Sequence, residues 1–112
     1  MAKTADLLPG TLDMLILKAV SLKPLHGYGI ARRLEQISAD RLRLNEGTVY
    51  NSLLRLVQQG WVSSEWGASE SNRKAKFYSI TKTGRKQLAR ETESWQRISG
   101  VIGRVLRLGS EH

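Results

Sequence analysis

The order in which the hydrophobic period changes along this chain constrains its fold more than any other feature. Apolar residues recur at helical spacing in three successive segments. Two short runs rich in aromatic and β-branched residues, WVSSEW and AKFYSI, then flank the polar tract GASESNRK, and a last segment returns to helical spacing. Leu12, Leu15, Ile16, Ala19 and Val20 mark a first helix from about Leu12 to Leu22, with Pro9 and Gly10 before it and Thr11 as its expected N-cap. Pro24 and Gly27 within KPLHG predict a connector. Ile30, Leu34 and Ile37 mark a second helix, from about Gly29 to Ile37, with Arg32, Arg33, Glu35 and Gln36 on its wet side. After the basic linker SADRLRL, Asn45 is placed to cap a third helix, and Gly60 stands where a left-handed C-terminal cap is expected. The β-rich runs predict a hairpin with a long tip.

The third helix carries the first functional signal. On a wheel of about 100° per residue, Leu53, Leu56 and Val57 fall within about 80° of Val49 and form the stripe expected to be buried. Thr48, Asn51, Arg55 and Gln58 fall in the opposite half, with Tyr50 on the flank. These side chains suit base edges and phosphates: arginine bonds guanine bidentately, amides bond adenine, and threonine or tyrosine holds a phosphate. The competing reading is a face that is merely solvated. Helix order weighs against it, because three helices followed by a hairpin with Arg73, Lys74 and Lys76 at its tip describe a winged helix-turn-helix.

The expected architecture is therefore α+β: three helices plus a two-stranded wing, followed by a long C-terminal helix. Residues 1–81 are assigned to a DNA-binding domain and 82–112 to a dimerisation helix. Thr81 caps that last helix, which runs to about Leu108 and spans about 40 Å. Leu88, Trp95, Ile98, Ile102 and Val105 keep an a/d register, with Glu91 in its single non-apolar slot. So narrow a seam predicts a helical partner. Gly100 and Gly103 lower helix propensity there by about 1 kcal/mol each.

Composition narrows the class of partner. Lysine and arginine total 18 against 10 acidic residues, a net charge of +8 and a pI near 10.3, which favours a polyanion. The absence of cysteine excludes disulfide scaffolding, thiolate zinc sites and cysteine nucleophiles, and suits a reducing cytoplasm. No Gly-rich phosphate loop, nucleophile–base set or ligand-spaced carboxylates are visible, and Asp6, Asp13 and Asp40 read as isolated. His26 reads as a capping or packing residue, since only His112 could join it in a metal site; no metal and no cofactor are expected. The run LDMLILKAVSL reads as neither membrane anchor nor signal peptide, because it is short and broken by Asp13 and Lys18. The last helix scatters its Lys and Arg around its circumference, which argues against a membrane-surface role. Trp61 and Trp66, flanking the hairpin, are expected to pack.

Four blocks in order, LDMLILKAV with PLHGYGI, EGTVYNSLLRLVQQGWV, KAKFYSIT and KTGRKQL, resemble the PadR family of bacterial transcriptional regulators. The resemblance extends from about Leu12 to Trp95. The family signature, GTLYPAL-like, has leucine where Val49 stands and proline where Asn51 stands, so an operator preference does not transfer. The resemblance implies two-fold dimers through the C-terminal helix, which packs on its mate and on the first helix of the other subunit. It also implies a short-tailed branch in which small apolar or phenolic effectors act near the dimer interface. Thr48 and Tyr50 match the family's recognition-helix residues, Lys74 and Lys76 its wing contacts, and Tyr28, in the HGY block, joins the DNA-facing candidates. Trp95 is expected as a dimer anchor, with stacking on an effector as the alternative.

The expected function is a dimeric, DNA-binding transcriptional repressor on a near-palindromic duplex site, its two third helices entering major grooves about 34–36 Å apart. The rival is a winged-helix protein-interaction module without DNA binding. Salt dependence separates them, since only the DNA reader loses affinity with a log–log slope of about −0.9 per phosphate neutralised.

Overall fold

The computed structural model describes residues 10–109. Pro9, Asp6 and His112 lie outside the described residues. Four helices and a three-stranded antiparallel sheet follow in the order α1 (Thr11–Leu22), β1 (Leu25–His26), α2 (Gly27–Ile37), α3 (Glu46–Gln58), β2 (Val62–Ala68), β3 (Lys74–Ile80) and α4 (Lys82–Arg107).

The core is where the apolar stripes of the first three helices meet the root of the hairpin. Ile16, Leu17, Ile30, Val49, Leu53 and Leu56 are fully enclosed, and Val62 and Tyr78 close the floor. Ile37 departs from the expected stripe, being exposed in the last turn of α2 where the chain turns away. Val57 is likewise on the surface, at the rim of the α3 stripe.

Three of the four described helix N-termini are set by polar side chains that satisfy otherwise unpaired N–H groups. Asn45 Oδ1 accepts from Thr48 N at 2.7 Å, and Thr81 Oγ1 accepts from Gly84 N at 3.0 Å. His26 caps α2, its Nδ1 accepting from Gly29 N at 2.9 Å, and its ring meets Phe77 edge-on at 5.2 Å. Thr11 is not a cap. It is already helical, and Gly10, left-handed at φ 85°, precedes it with no side-chain bond. Gly60 adopts φ 78° and the Trp61 N–H returns to Leu56 O at 3.1 Å, which closes the C-terminus of α3 as expected.

The connector between α1 and α2 contains a strand that the sequence does not announce. Leu25 pairs with Tyr78 and His26 with Phe77, which makes the sheet order β1-β3-β2. Two residues are too few to show an alternating pattern, so β1 exists because β3 offers it an edge. The wing itself runs from the pair Val62–Ile80 to the pair Ala68–Lys74, with a tip held by Ser69 N donating to Arg73 O at 2.8 Å.

The first turns of α4 dock on this body, where Gly84 and Leu88 pack in. The rest of the helix extends beyond it, which accounts for the elongated 59 × 31 × 20 Å outline of the described chain.

Candidate nucleic-acid interface

The α3 helix and the wing form two walls of one groove. It has a volume of about 1480 Å³, and its lining includes Tyr28, Arg32, Tyr50, Trp66, Lys74 and Lys76. The strand alternation explains the wing's contribution. Val62, Ser64, Trp66 and Ala68 share a face with Ile80, Tyr78, Lys76 and Lys74; the root of that face enters the core and its outer half faces the groove.

Trp66 lies on the outer half and does not pack as expected. It is 59% exposed, and the ammonium groups of Lys74 and Lys76 sit 5.0 and 5.5 Å from its ring centre. These distances are those of cation–π contacts, which hold both charges on the groove side of the wing. Tyr28 and Tyr50 are exposed, at 58% and 53%. Burial holds the hydroxyl of Tyr78 above its ordinary pKa, and the nearby Tyr50 adds to the rise.

Along α3, Thr48, Asn51, Arg55 and Gln58 follow at helical spacing on one side. Thr48 is half-buried, whereas Asn51, Arg55 and Gln58 are exposed. Arg55 is anchored as well as exposed. Its Nη2 donates to Asp13 Oδ1 at 2.8 Å and its Nε to Asp13 Oδ2 at 3.1 Å, while the enclosed Ser52 donates its hydroxyl to the same Oδ1. The hydrogen bond to Asp13 raises the Arg55 pKa, burial opposes the rise, and the Asp13 charge adds to it. Asp13, read from sequence as an isolated carboxylate, is thereby corrected to the meeting point of α1 and α3. An acidic residue inside an otherwise apolar segment was the available signal, but its partners lie 39 and 42 residues away.

The groove thus brings together Tyr28, Tyr50, Arg73, Lys74 and Lys76, whereas Thr48, Asn51 and Arg55 lie outside its lining, on the next side of α3. The seam residues form a separate stripe on α4. Trp95, Ile98, Ile102 and Val105 are 44–58% exposed, joined by Val101 and Leu106. Leu88, the first residue of the expected seam, is half-buried against the chain's own core. Trp95 also borders a second groove, of about 390 Å³, between α1 and α4, together with Met14, Leu15, Lys18, Leu88 and Thr92.

Residues 16–90 match the model of the Transcriptional regulator PadR-like family. The chain belongs to that family. A PadR-like transcriptional regulator from Bacillus cereus is similar in structure, with a TM-score of 0.77 and 28% identity over 88% of this chain and 93% of that one. A PadR family transcription regulator from Clostridium difficile gives a TM-score of 0.75 at 28% identity, covering 87% of this chain and 99% of its own. An uncharacterized 37.1 kDa protein in a transposon of Streptomyces fradiae is 39% identical over 90 residues, 80% of this chain but 24% of that protein. Family membership makes this chain a transcriptional regulator of winged-helix fold. Among the described residues no cluster of His, Asp or Glu could hold a metal, and no helix is long and apolar enough to cross a membrane.

Proposed function

We propose that this family member is a cytoplasmic, sequence-specific DNA-binding repressor that acts as a homodimer. The observation that carries the reading is the groove in which Tyr50 of α3 and the paired lysines of the wing meet, on a chain of net charge +8. In this reading residues 1–81 hold the duplex and residues 82–112 join two copies. Thr48, Tyr50, Asn51 and Arg55 meet base edges and nearby phosphates in the major groove, while Arg73, Lys74 and Lys76 grip the adjoining backbone, with Tyr28 beside them.

Two copies related by a two-fold axis would bury the Trp95, Ile98, Ile102 and Val105 stripe that α4 leaves uncovered. Each copy then reads one half of a near-palindromic site, and occupancy of that site blocks transcription. The groove beside Trp95 adjoins this seam and is suited by its apolar lining to a small apolar or phenolic effector. An effector there would act by favouring one spacing of the two α3 helices.

The test is a fluorescence-anisotropy titration of the full chain on the duplex upstream of its own coding region over a range of salt. A DNA reader gives a log–log slope several times −0.9, roughly one such unit per phosphate contacted. Absence of DNA affinity at low salt overturns the reading and favours a protein-interaction module.

A further inference from the structure

We infer that Asp13 is a positioning residue for base reading, one that aims Arg55 from outside the recognition helix. The inference rests on the reading of α3 as the DNA-facing helix. A guanidinium carries five N–H groups in a fixed planar fork. Asp13 takes the side edge of that fork, through Nε and one hydrogen of Nη2. The end edge, made by Nη1 and the second hydrogen of Nη2, has no hydrogen-bond partner among the described residues. The Arg55 side chain remains 57% exposed, whereas Asp13 is 22% exposed.

The free end edge is the one whose two parallel donors match the paired acceptors O6 and N7 of guanine. Arg55 lies one turn beyond Asn51 on the same side of α3, so both groups reach the same face. Without a tether, arginine is a long chain with many rotamers that must be immobilised on binding. Asp13 does part of that ordering in the free protein. Ser52 makes the carboxylate itself stationary: it is fully enclosed and donates to Oδ1, so the acid cannot swing away with the arginine. Asp13 therefore contributes to selectivity at one base pair without touching DNA.

The experiment is selection of the full chain and its variants on a randomised duplex library, read by sequencing, with a thermal melt of each variant. Wild type is expected to prefer guanine at one position of each half-site. Arg55→Ala and Asp13→Asn should lose preference at that same position by about tenfold, within the range that a bidentate arginine–guanine pair supplies. Other positions should be unchanged. Asp13→Asn keeps the arginine charge, so its affinity for random duplex and its salt slope should not fall.

The inference is overturned if Asp13→Asn keeps the wild-type preference while binding every duplex more tightly, with a slope steeper by about 0.9, for then the carboxylate withholds Arg55 from DNA. Uniform loss at all positions in Asp13→Asn overturns it too, as a purely structural role. Should Asp13→Asn fail to fold, Arg55→Lys decides: it keeps a charge beside Asp13 but cannot form the fork, and unchanged preference refutes the proposal. A wild-type chain that enriches no sequence overturns the reading of α3 itself, a result distinct from the others.

Discussion

A Cβ added at Gly84 would lie 2.0 Å from the carbonyl oxygen of Trp61. That contact joins the start of α4 to the end of α3, and three hydrogen bonds surround it. Thr81 N donates to Trp61 O at 2.9 Å, and the hydroxyls of Thr81 and Thr83 donate to Gly60 O at 2.7 and 3.0 Å. The backbone of α4 is thus seated directly on the backbone turn that ends α3.

Gly84→Ala is expected to destabilise the chain by about 2–3 kcal/mol, because the obstructing atom is backbone and the hydrogen-bonded seat cannot shift without breaking. Gly100→Ala is the control: its Cβ meets nothing within 4 Å, so the helix-propensity gain of up to about 1 kcal/mol should appear. Chemical denaturation of the two variants measures the contrast.

Ala39 and Asp40 close α2 with φ of 54° and 63°, the left-handed region that costs side-chain-bearing residues about 1 kcal/mol or more. Asp40 N donates to Glu35 O at 2.8 Å, which requires that geometry. Ala39→Gly should therefore stabilise by about 0.5–1 kcal/mol, whereas Ala31→Gly, in the buried interior of the same helix, should destabilise. Paired thermal melts check the sign reversal.

Burial holds the Glu91 carboxyl above its ordinary pKa, a hydrogen bond with Gln87 lowers it, and the charge of Asp13 adds to the rise. The folded chain therefore binds this proton more tightly than the unfolded one. Ionised Glu91 takes stability away as pH rises through its folded pKa, and the favourable contribution is complete below the unfolded value of about 4.3. Glu91→Gln should raise the melting temperature at about pH 7, and the gain should shrink toward zero at about pH 4. Because Glu91 is only half-buried the gain is modest.

Features carried by a single segment were legible in the sequence. Asn45, Gly60 and Thr81 announce helix ends because their chemistry acts within a few residues of themselves. The hairpin and its basic tip were visible for the same reason. What could not be read depends on distant partners. β1 needs the edge of β3, Gly84 needs the Trp61 carbonyl, and Asp13 needs residues on α3. The placement of Trp66 belongs to this group: it was expected to pack, and only the pairing register and the length of the wing beyond the core decide that its part of the face is open. Leu88 shows the converse limit, since an a/d register does not distinguish a seam facing the chain's own core from one facing another chain.

The seam beyond Leu88 yields the most consequential prediction. Ile98 and Ile102 are half exposed on one side of α4, between Trp95 and Val105, and nothing in the described chain covers them. A partner helix would remove each from water, worth about 1–2 kcal/mol per side chain, and a charge placed there would instead be buried without a counter-ion. Ile98→Glu with Ile102→Glu is therefore expected to give a folded monomer by sedimentation, since neither residue supports the core. Gln96→Glu, about 200° round the helix from Ile98, should leave a dimer intact. The monomer should also bind a two-half-site duplex more weakly than wild type by about a hundredfold or more, because the second half-site no longer benefits from tethering. Its affinity for a single half-site should be unchanged, which separates loss of pairing from damage to the face of α3. A variant that still sediments as a dimer would place the contact between subunits elsewhere.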